Sequence, residues 1–430
     1  LVGFFNKTSF ETMMEEVAQN IKSTAGAILI LLMVGALAGT WLVSGIIPTM
    51  IYYGLQILNP SIFLAACVVI CAIISVATGS SWTTSATVGI ALIGIANALG
   101  ISLGMTAGAI LSGAYFGDKL SPLSDTTNLA PAMAGTDLFT HIQYMLFTTV
   151  PTVSITLIVF IIIGLNIETS GTADTSAILA SIDDAFTISP WLFIVPAIVI
   201  FMIIKKTPPL IALLIGTILG GIAALIFQPE IIAGLGGSES LTFESGYKGI
   251  MNAITVDTAI ETTNENLNDL FAASGMAGML GTIWLILCAM TFGGVMDAIG
   301  ALSLISAFML NLFESTFGLF ASTVATCIGL NATASDQYLA IVVPGKMYAK
   351  AYKDKGLAPE NLSRTLEDSG TVTSVLVPYN TCGAYQSGVL GVSVADYFVY
   401  AIFNWLSPFM TLIFAAFRIK IRSLKEAKAA

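Results

Sequence analysis

The chain has 430 residues, 56% of them hydrophobic and only 10% charged, with a net charge of −10. Soluble domains carry roughly a quarter charged residues, and the mean hydropathy here is +0.89, so a soluble globular protein is excluded. Apolar runs recur along the whole sequence, each near the roughly 20 residues that a spanning helix needs, and the fold class expected is an all-α polytopic membrane protein.

Residues 1–23 read as an amphipathic N-terminal segment carrying Lys7 and Lys22. Apolar spans are predicted over 24–47, ended by Pro48, over 51–78, and over 84–116 with an interruption near Gly100–Gly104. A polar stretch covers 117–141, and a further span 142–165 completes a first transmembrane repeat, 24–165. Residues 166–190 form an acidic linker with Glu168, Asp174, Asp183 and Asp184 and no Lys or Arg. The second repeat, 191–420, opens with 191–204, a Lys205–Lys206 turn and 208–227. Its long segment 228–275 carries seven acidic residues against the single base Lys248. Spans at 276–298 and 303–328 follow, then the polar run 331–336, a short apolar piece at 337–349 and a basic connection at 346–366 with Lys346, Lys350, Lys353, Lys355 and Arg364. A second broken stretch covers 367–393, and 395–418 is the last span. Residues 421–430 form a basic tail with Arg422, Lys425 and Lys428.

Cytoplasmic loops carry an excess of Lys and Arg. This rule places Lys205–Lys206, the 346–366 connection and the tail in the cytoplasm of a bacterial inner membrane, and puts 166–190 and 228–275 outside. The five cysteines, Cys67, Cys71, Cys288, Cys327 and Cys382, lie in apolar segments without CxxC spacing, which favours packing over disulfides or zinc. No cofactor and no nucleic-acid partner is expected.

Residues 276–345 repeat the layout of 24–94: an apolar span, a glycine-rich end, a second span, then a polar hydroxyl cluster. At matching intervals, Gly117-Asp118 and the SDTTNLAP run correspond to Glu367-Asp368 and VPYNTCGAY. The charge marks give the halves opposite orientation. Inverted repeats with broken helices meeting near the bilayer midplane are typical of secondary transporters. Because the second half has two spans before the counterpart of residue 24, about two transmembrane segments are expected upstream of Leu1.

The polar stretch Gly117–Asp137 reads GDKLSPLSDTTNLAPAMAGTD. Broken polar backbone at membrane depth survives only where protein or a watery cavity surrounds it, and ionisable residues there point to an ion or substrate pathway. Asp125, Thr126, Thr127 and Asn128 combine a carboxylate with hydroxyl and amide oxygens, the donors that hard cations such as Na⁺ prefer. Pro122 and Pro131 break the helix on either side. Asp125, Thr126 and Asn128 are the expected Na⁺ ligands, and a partly desolvated Asp125 would hold either Na⁺ or a proton. The bland alternative is an aspartate satisfied by neighbouring hydroxyls.

Asp118–Lys119 is either an internal ion pair or a surface pair worth little. Ser80, Ser81, Thr83, Thr84 and Ser85, with Asn331, Thr333, Ser335 and Asp336, read as tips of broken helices, although membrane hydroxyls also bond back to their own helix. Glu367, Asp368, Thr371, Thr373, Asn380 and Thr381 form the second-half counterpart, with Glu367 and Asp368 alternatively capping a helix N-terminus. Asp297 and Glu314 read as interfacial, as does His141, which otherwise would tune a pH response. Arginine is absent from the core stretches. An organic anion thus lacks its bidentate anchor, which favours a cation, though helix N-termini also bind carboxylates.

The run GAYFGDKLSPLSDTTNLAPAMAGTDLFTHI (Gly113–Ile142) resembles the signature of the NhaC family of Na⁺/H⁺ antiporters. The segments Ala77–Ile101 and Gly39–Leu55 resemble the family's flanking segments, so the resemblance covers nearly the whole chain. It implies exchange of cytoplasmic Na⁺ for external H⁺ by alternating access, and it assigns Asp118, Asp125, Thr126, Thr127, Asn128 and Asp137 to the family motif. The family includes a branch coupling malate uptake and lactate export to H⁺ and Na⁺, and the residues do not separate the two branches. A homodimer is left open. An intramembrane enzyme with Asp118 and Asp125 as a dyad is the competing class. Against it stand the absence of HExxH and a lone histidine with no nucleophile placed beside it.

Overall fold

The computed structural model describes residues 8–167, 175–260, 271–311 and 315–424. Lys7, Glu168, Asp174, Glu314, Lys425 and Lys428, singled out above, lie outside the described residues. The first run of helices begins with α1 (Phe10–Val43), 14 residues earlier than the span predicted from residue 24, because the Ser9 side chain accepts from the Thr12 N–H and caps the helix there. Next come α2 (Ile46–Ile57) and α3 (Pro60–Thr78). They replace the single span expected at 51–78. The reason is local: Asn59 accepts from the Ser61 N–H at 2.9 Å and Pro60 takes the first helical position, a start signal for a new helix.

Helix α4 runs Ser81–Thr84, passes through a π-helical turn Ser85–Gly89, and continues as Ile90–Ala98. Gly100, at φ +67°, turns the chain into α5 (Leu103–Leu120), so the interruption predicted near Gly100–Gly104 is present. Helices α6 (Asp125–Ala134) and α7 (Leu138–Asn166) complete the run. Between the runs lie α8 (Thr175–Ala185), a 3₁₀ turn Pro190–Phe193, α9 (Ile194–Ile204) and α10 (Pro209–Phe227). The residues Ile178–Ala185 and Pro190–Ile204 bend by 85° against each other. The acidic segment after α10 is ordered into α11 (Pro229–Leu235), α12 (Phe243–Thr255) and a two-stranded hairpin, Thr258–Ala259 with Ala272–Ala273.

The second run comprises α13 (Leu280–Ala298), α14 (Ala301–Asn311), α15 (Thr316–Thr333), α16 (Leu339–Asp354), α17 (Pro359–Leu366, extended by a π turn Glu367–Thr371), α18 (Thr381–Leu390), α19 (Val394–Tyr397) and α20 (Ile402–Ala416). The span expected at 303–328 is thus two helices, and the short apolar piece at 337–349 belongs to a 16-residue helix. Apart from the four-residue α19, which the first run lacks, the two runs share an order: a long helix, a short one, a spanning one ending at a polar tip, two more, a ten-residue helix and a final apolar helix. The ten-residue members match closely. Both α6 and α18 start on a side-chain cap, Ser124 and Asn380, and both end at a left-handed glycine, Gly135 and Gly391.

Six described helices are long and apolar enough to cross a membrane, and the bent pair adds a seventh candidate. Their outward faces carry exposed Ile73, Ile158, Ile162, Leu165 and Trp284. Such a surface belongs in lipid, and the protein is a multi-pass membrane protein. Helix α3 lies directly against α5, where Gly113 and Gly117 form a G-x-x-x-G stripe. A Cβ on Gly113 would stand 2.2 Å from the Val68 carbonyl oxygen, and one on Gly117 2.5 Å from the Ser75 Cβ. Small residues let membrane helices approach this closely, and the contact fixes the C-terminal end of α5, where Asp118 sits.

Candidate functional site

The SDTTNLAP break comes from short-range hydrogen bonding. After α5 ends at Leu120, Ser124 caps α6, with Thr127 N–H donating to its hydroxyl at 3.5 Å. The Thr127 hydroxyl donates to the carbonyls of Asp118 and Lys119, both at 3.0 Å, and so ties α6 to the frayed end of α5. Asn128 donates from its amide to the carbonyls of Pro122 at 3.0 Å and Ser124 at 2.7 Å.

This folding of the break turns Asp118 and Lys119 to different neighbours, as adjacent residues on a helix must. The Asp118 carboxylate accepts from the Ser81 hydroxyl at 2.7 Å and from the Ser81 backbone N–H at 3.2 Å. It therefore sits on the N-terminal end of α4, where free N–H groups favour an anion. Lys119 is fully buried and bonds not to Asp118 but to Asp368 of the second run. Asp368 also accepts from the Thr411 hydroxyl. Of the two sequence alternatives for Asp118–Lys119, neither holds: each residue has a partner elsewhere.

A cavity of about 290 Å³ opens beside Asp118. Asp118, Asp125, Ser80, Thr83 and Thr126 line it from the first run, and Asp336 and Thr381 from the second. Sequence reasoning missed Trp82, Ser124, Gln337 and Tyr338, which also line it, together with Ser23 and Thr24 of α1. Ser124 and Gln337 each adjoin a residue that was singled out, while Ser23 and Thr24 gave no signal. No Lys, Arg or His is among the lining residues, so three carboxylates and several hydroxyls face the space without a fixed countercharge. Behind it the halves are joined by Trp82 stacked on Tyr385, ring centroids 3.9 Å apart, with the Tyr385 hydroxyl donating to the Trp82 carbonyl at 3.2 Å.

Other residues singled out in the sequence take different places. Asn128 is exposed, does not line the cavity and spends its amide on the α6 break. Asp137 is exposed and caps α7, accepting from the Thr140 N–H at 3.0 Å. Hydrogen bonding from Thr140 holds its carboxyl below the usual value. Thr84 and Thr333 bond back to the carbonyls of Ser80 and Gly329, each four residues earlier. Ser335 adopts φ +59° and its carbonyl accepts from the Thr381 N–H at 3.0 Å, which sets Asp336 and Thr381 side by side.

Glu367 and Asp368 do not cap a helix N-terminus. They begin the π turn of α17 in the protein interior, both fully buried. A π turn frees backbone carbonyls, and buried carbonyls require partners. Three side-chain amides supply them: Asn331 donates to Gly370 O at 2.7 Å, Gln337 to Thr371 O at 3.1 Å and Asn404 to Val372 O at 2.9 Å. Asn331 also donates to the Thr373 hydroxyl at 3.1 Å and accepts from the Asn380 amide at 3.2 Å. Asn331 and Asn380 thus brace the second break rather than facing the cavity.

The basic connection expected at 346–366 is not a loop. Its C-terminal part is α17, and Arg364 is wholly buried, stacked 4.5 Å over the Tyr144 ring. His141, expected at an interface, is equally buried and bonded through Nδ1 to the Ser363 hydroxyl at 2.8 Å. Neither residue lines the cavity.

The model of the Na⁺/H⁺ antiporter family matches residues 1–127 and 113–419. The chain belongs to the Na⁺/H⁺ antiporter family. Within it, the chain is 38% identical over 412 residues to the Na⁺/H⁺ antiporter NhaC of Alkalihalophilus pseudofirmus, covering 96% of this chain and 86% of that one. It is 37% identical over 412 residues to the malate-2H⁺/Na⁺-lactate antiporter of Bacillus subtilis, covering 95% and 84%. It is 33% identical over 429 residues to the arginine/ornithine antiporter ArcD of Halobacterium salinarum, covering 97% and 84%. These relatives are antiporters, and the NhaC resemblance of Gly113–Ile142 is borne out.

Proposed function

We propose that this antiporter exchanges Na⁺ for H⁺ at the cavity between the two helix runs. The observation that carries the reading is the lining itself: Asp118, Asp125 and Asp336 face one space of about 290 Å³ that no basic side chain lines. Carboxylate and hydroxyl oxygens suit a hard cation. Asp118 is buried and accepts from Ser81, Asp336 is buried and accepts from the Leu339 N–H at 2.9 Å, and Asp125 is the exposed carboxylate of the three. Na⁺ bound by Asp125, Asp118 and Asp336, with hydroxyls of Ser80, Thr83, Thr126 and Thr381 completing the shell, displaces protons on one side of the membrane. Protons displace Na⁺ on the other.

The cavity draws on both runs, so movement of one set of broken helices against the other would open it alternately. The shared element order supports a repeat, and the charge marks support its inversion, with the C-terminal tail in the cytoplasm of a bacterial inner membrane. Transport is then Na⁺ outward and H⁺ inward.

A second reading is exchange of malate and lactate coupled to Na⁺ and H⁺, favoured by the 37% identity to an antiporter of that name. The acidic lining argues against a dicarboxylate in this cavity, and the buried Arg364 does not line it. Purified protein in sealed liposomes with an internal pH dye separates the readings. NaCl alone should move protons in wild type and not in Asp125→Asn. Proton movement only with malate outside and lactate inside would transfer the protein to the second reading.

A further inference from the structure

Glu367 is a fully buried carboxyl group with the Thr371 hydroxyl of its own turn beside it, and neither of the two makes a hydrogen bond of good geometry to a described residue. Around it Lys119 pairs with Asp368, Asp368 with Thr411, and three amides with the carbonyls of Gly370, Thr371 and Val372. The Thr371 hydroxyl and the Asn404 amide oxygen, by contrast, also lack a hydrogen-bond partner among the described residues. An ionised carboxylate left bare in the interior is far costlier than a neutral one. Burial thus favours the neutral, protonated form of the group in this conformation.

Its charged neighbours are Lys119 and Asp118 from α5 and Asp368 from its own turn. The helices α15 and α16 pack on the same turn and bring Cys327, Tyr348 and Tyr352, all buried. Glu367 does not line the cation cavity, whereas Asp118 does. Lys119, next in sequence to Asp118, is a cation whose charge acts on Glu367.

We propose that Glu367 carries the transported proton, in a place separate from the cation cavity and coupled to it through Asp118 and Lys119. This rests on the Na⁺/H⁺ reading above. Na⁺ arriving at Asp118 adds one positive charge near Lys119. The Glu367 O–H bond then breaks and its proton leaves for water, so the site gains Na⁺, loses H⁺ and keeps its net charge. When Na⁺ departs, Glu367 takes a proton back. The π turn serves this role by placing a carboxyl group in the interior without a fixed partner, while the amides of Asn331, Gln337 and Asn404 hold the backbone around it.

The test uses full-length protein in liposomes and the variant Glu367→Gln, an isostere of the protonated acid. Two fluxes are followed: exchange of labelled Na⁺ for unlabelled Na⁺, and proton movement driven by a Na⁺ gradient. The expected result is that Glu367→Gln keeps Na⁺/Na⁺ exchange within about threefold of wild type and loses Na⁺-driven proton movement at least tenfold. Its Na⁺ affinity should also fall less steeply than that of wild type as pH falls. Proton movement that persists in Glu367→Gln overturns the inference, and so does loss of both fluxes, which would make the residue structural. If wild type itself moves no protons with Na⁺, the Na⁺/H⁺ reading fails instead.

Discussion

Lys119 and Asp368 form a wholly buried ion pair although 249 residues separate them in the chain. The pair joins the end of α5 to the π turn of α17, the two positions that correspond in the sequence repeat. Removing one member of a buried pair leaves an uncompensated charge and costs about 3–5 kcal/mol. Lys119→Met and Asp368→Asn should each lower the melting temperature in detergent markedly, and the double variant should lose less than the sum. Additive losses would show that the pair is not an energetic unit.

Ser81 holds Asp118 through both its hydroxyl and its N–H. Groups that orient a metal-binding side chain are typically worth about 10–100-fold in affinity. Ser81→Ala should therefore weaken Na⁺ binding by at least about tenfold, measured by titration calorimetry, while leaving the melting temperature nearly unchanged. An unaltered affinity would remove Asp118 from the cation site.

Asn128 and Asp137 belong to the SDTTNLAP region, yet the structure uses them to fold the break and to cap α7. Asp137→Ala should cost about 1 kcal/mol of stability through the lost cap with Na⁺ affinity intact. Thr140 keeps the Asp137 carboxyl lower in the folded protein than in the unfolded chain. Its stabilisation is present above the unfolded value and fades as pH falls through the folded one, so wild type and variant should converge in acid melts. A tenfold loss of Na⁺ affinity in either Asp137→Ala or Asn128→Ala would place that side chain at the ion.

Gly113 lies so close to α3 that an added methyl group would overlap the Val68 carbonyl. Gly113→Ala must push α3 and α5 apart, an overpacking worth about 1–3 kcal/mol. Because α5 carries Asp118 five residues beyond Gly113, Na⁺ transport should fall together with stability. Full transport in Gly113→Ala would mean that the crossing does not position the site.

Much of this arrangement is legible in the sequence, where the chain's chemistry is local. The break at 121–124 follows from Ser124 and Pro122, and the turn at Gly100 from its positive φ. The Asn59-Pro60 signal for a new helix was equally local, but the apolar run through 51–78 masked it. What sequence patterning does not reveal is a polar helix buried by other protein rather than by lipid. Residues 346–366 read as a basic connection on Lys346, Lys350, Lys353, Lys355 and Arg364, which hides the buried helix at 359–366. In the structure Glu360 pairs with Arg422 at 3.0 Å, Asn361 bonds to Tyr144 at 2.7 Å and Arg364 lies on the Tyr144 ring. Each of those partners comes from elsewhere in the chain, so no local window contains them. The same holds for Lys119, whose partner was beyond any helical spacing.

The central claim is that one cation site is assembled from both helix runs, and Asp336 tests it most directly because it enters the cavity from the second run alone. Na⁺ titration by calorimetry on purified wild type and Asp336→Asn is the measurement. Asp336→Asn should weaken Na⁺ binding at least tenfold, and so should Asp118→Asn. Unchanged Na⁺ affinity in Asp336→Asn beside a loss in Asp118→Asn would confine the site to the first run and contradict the account.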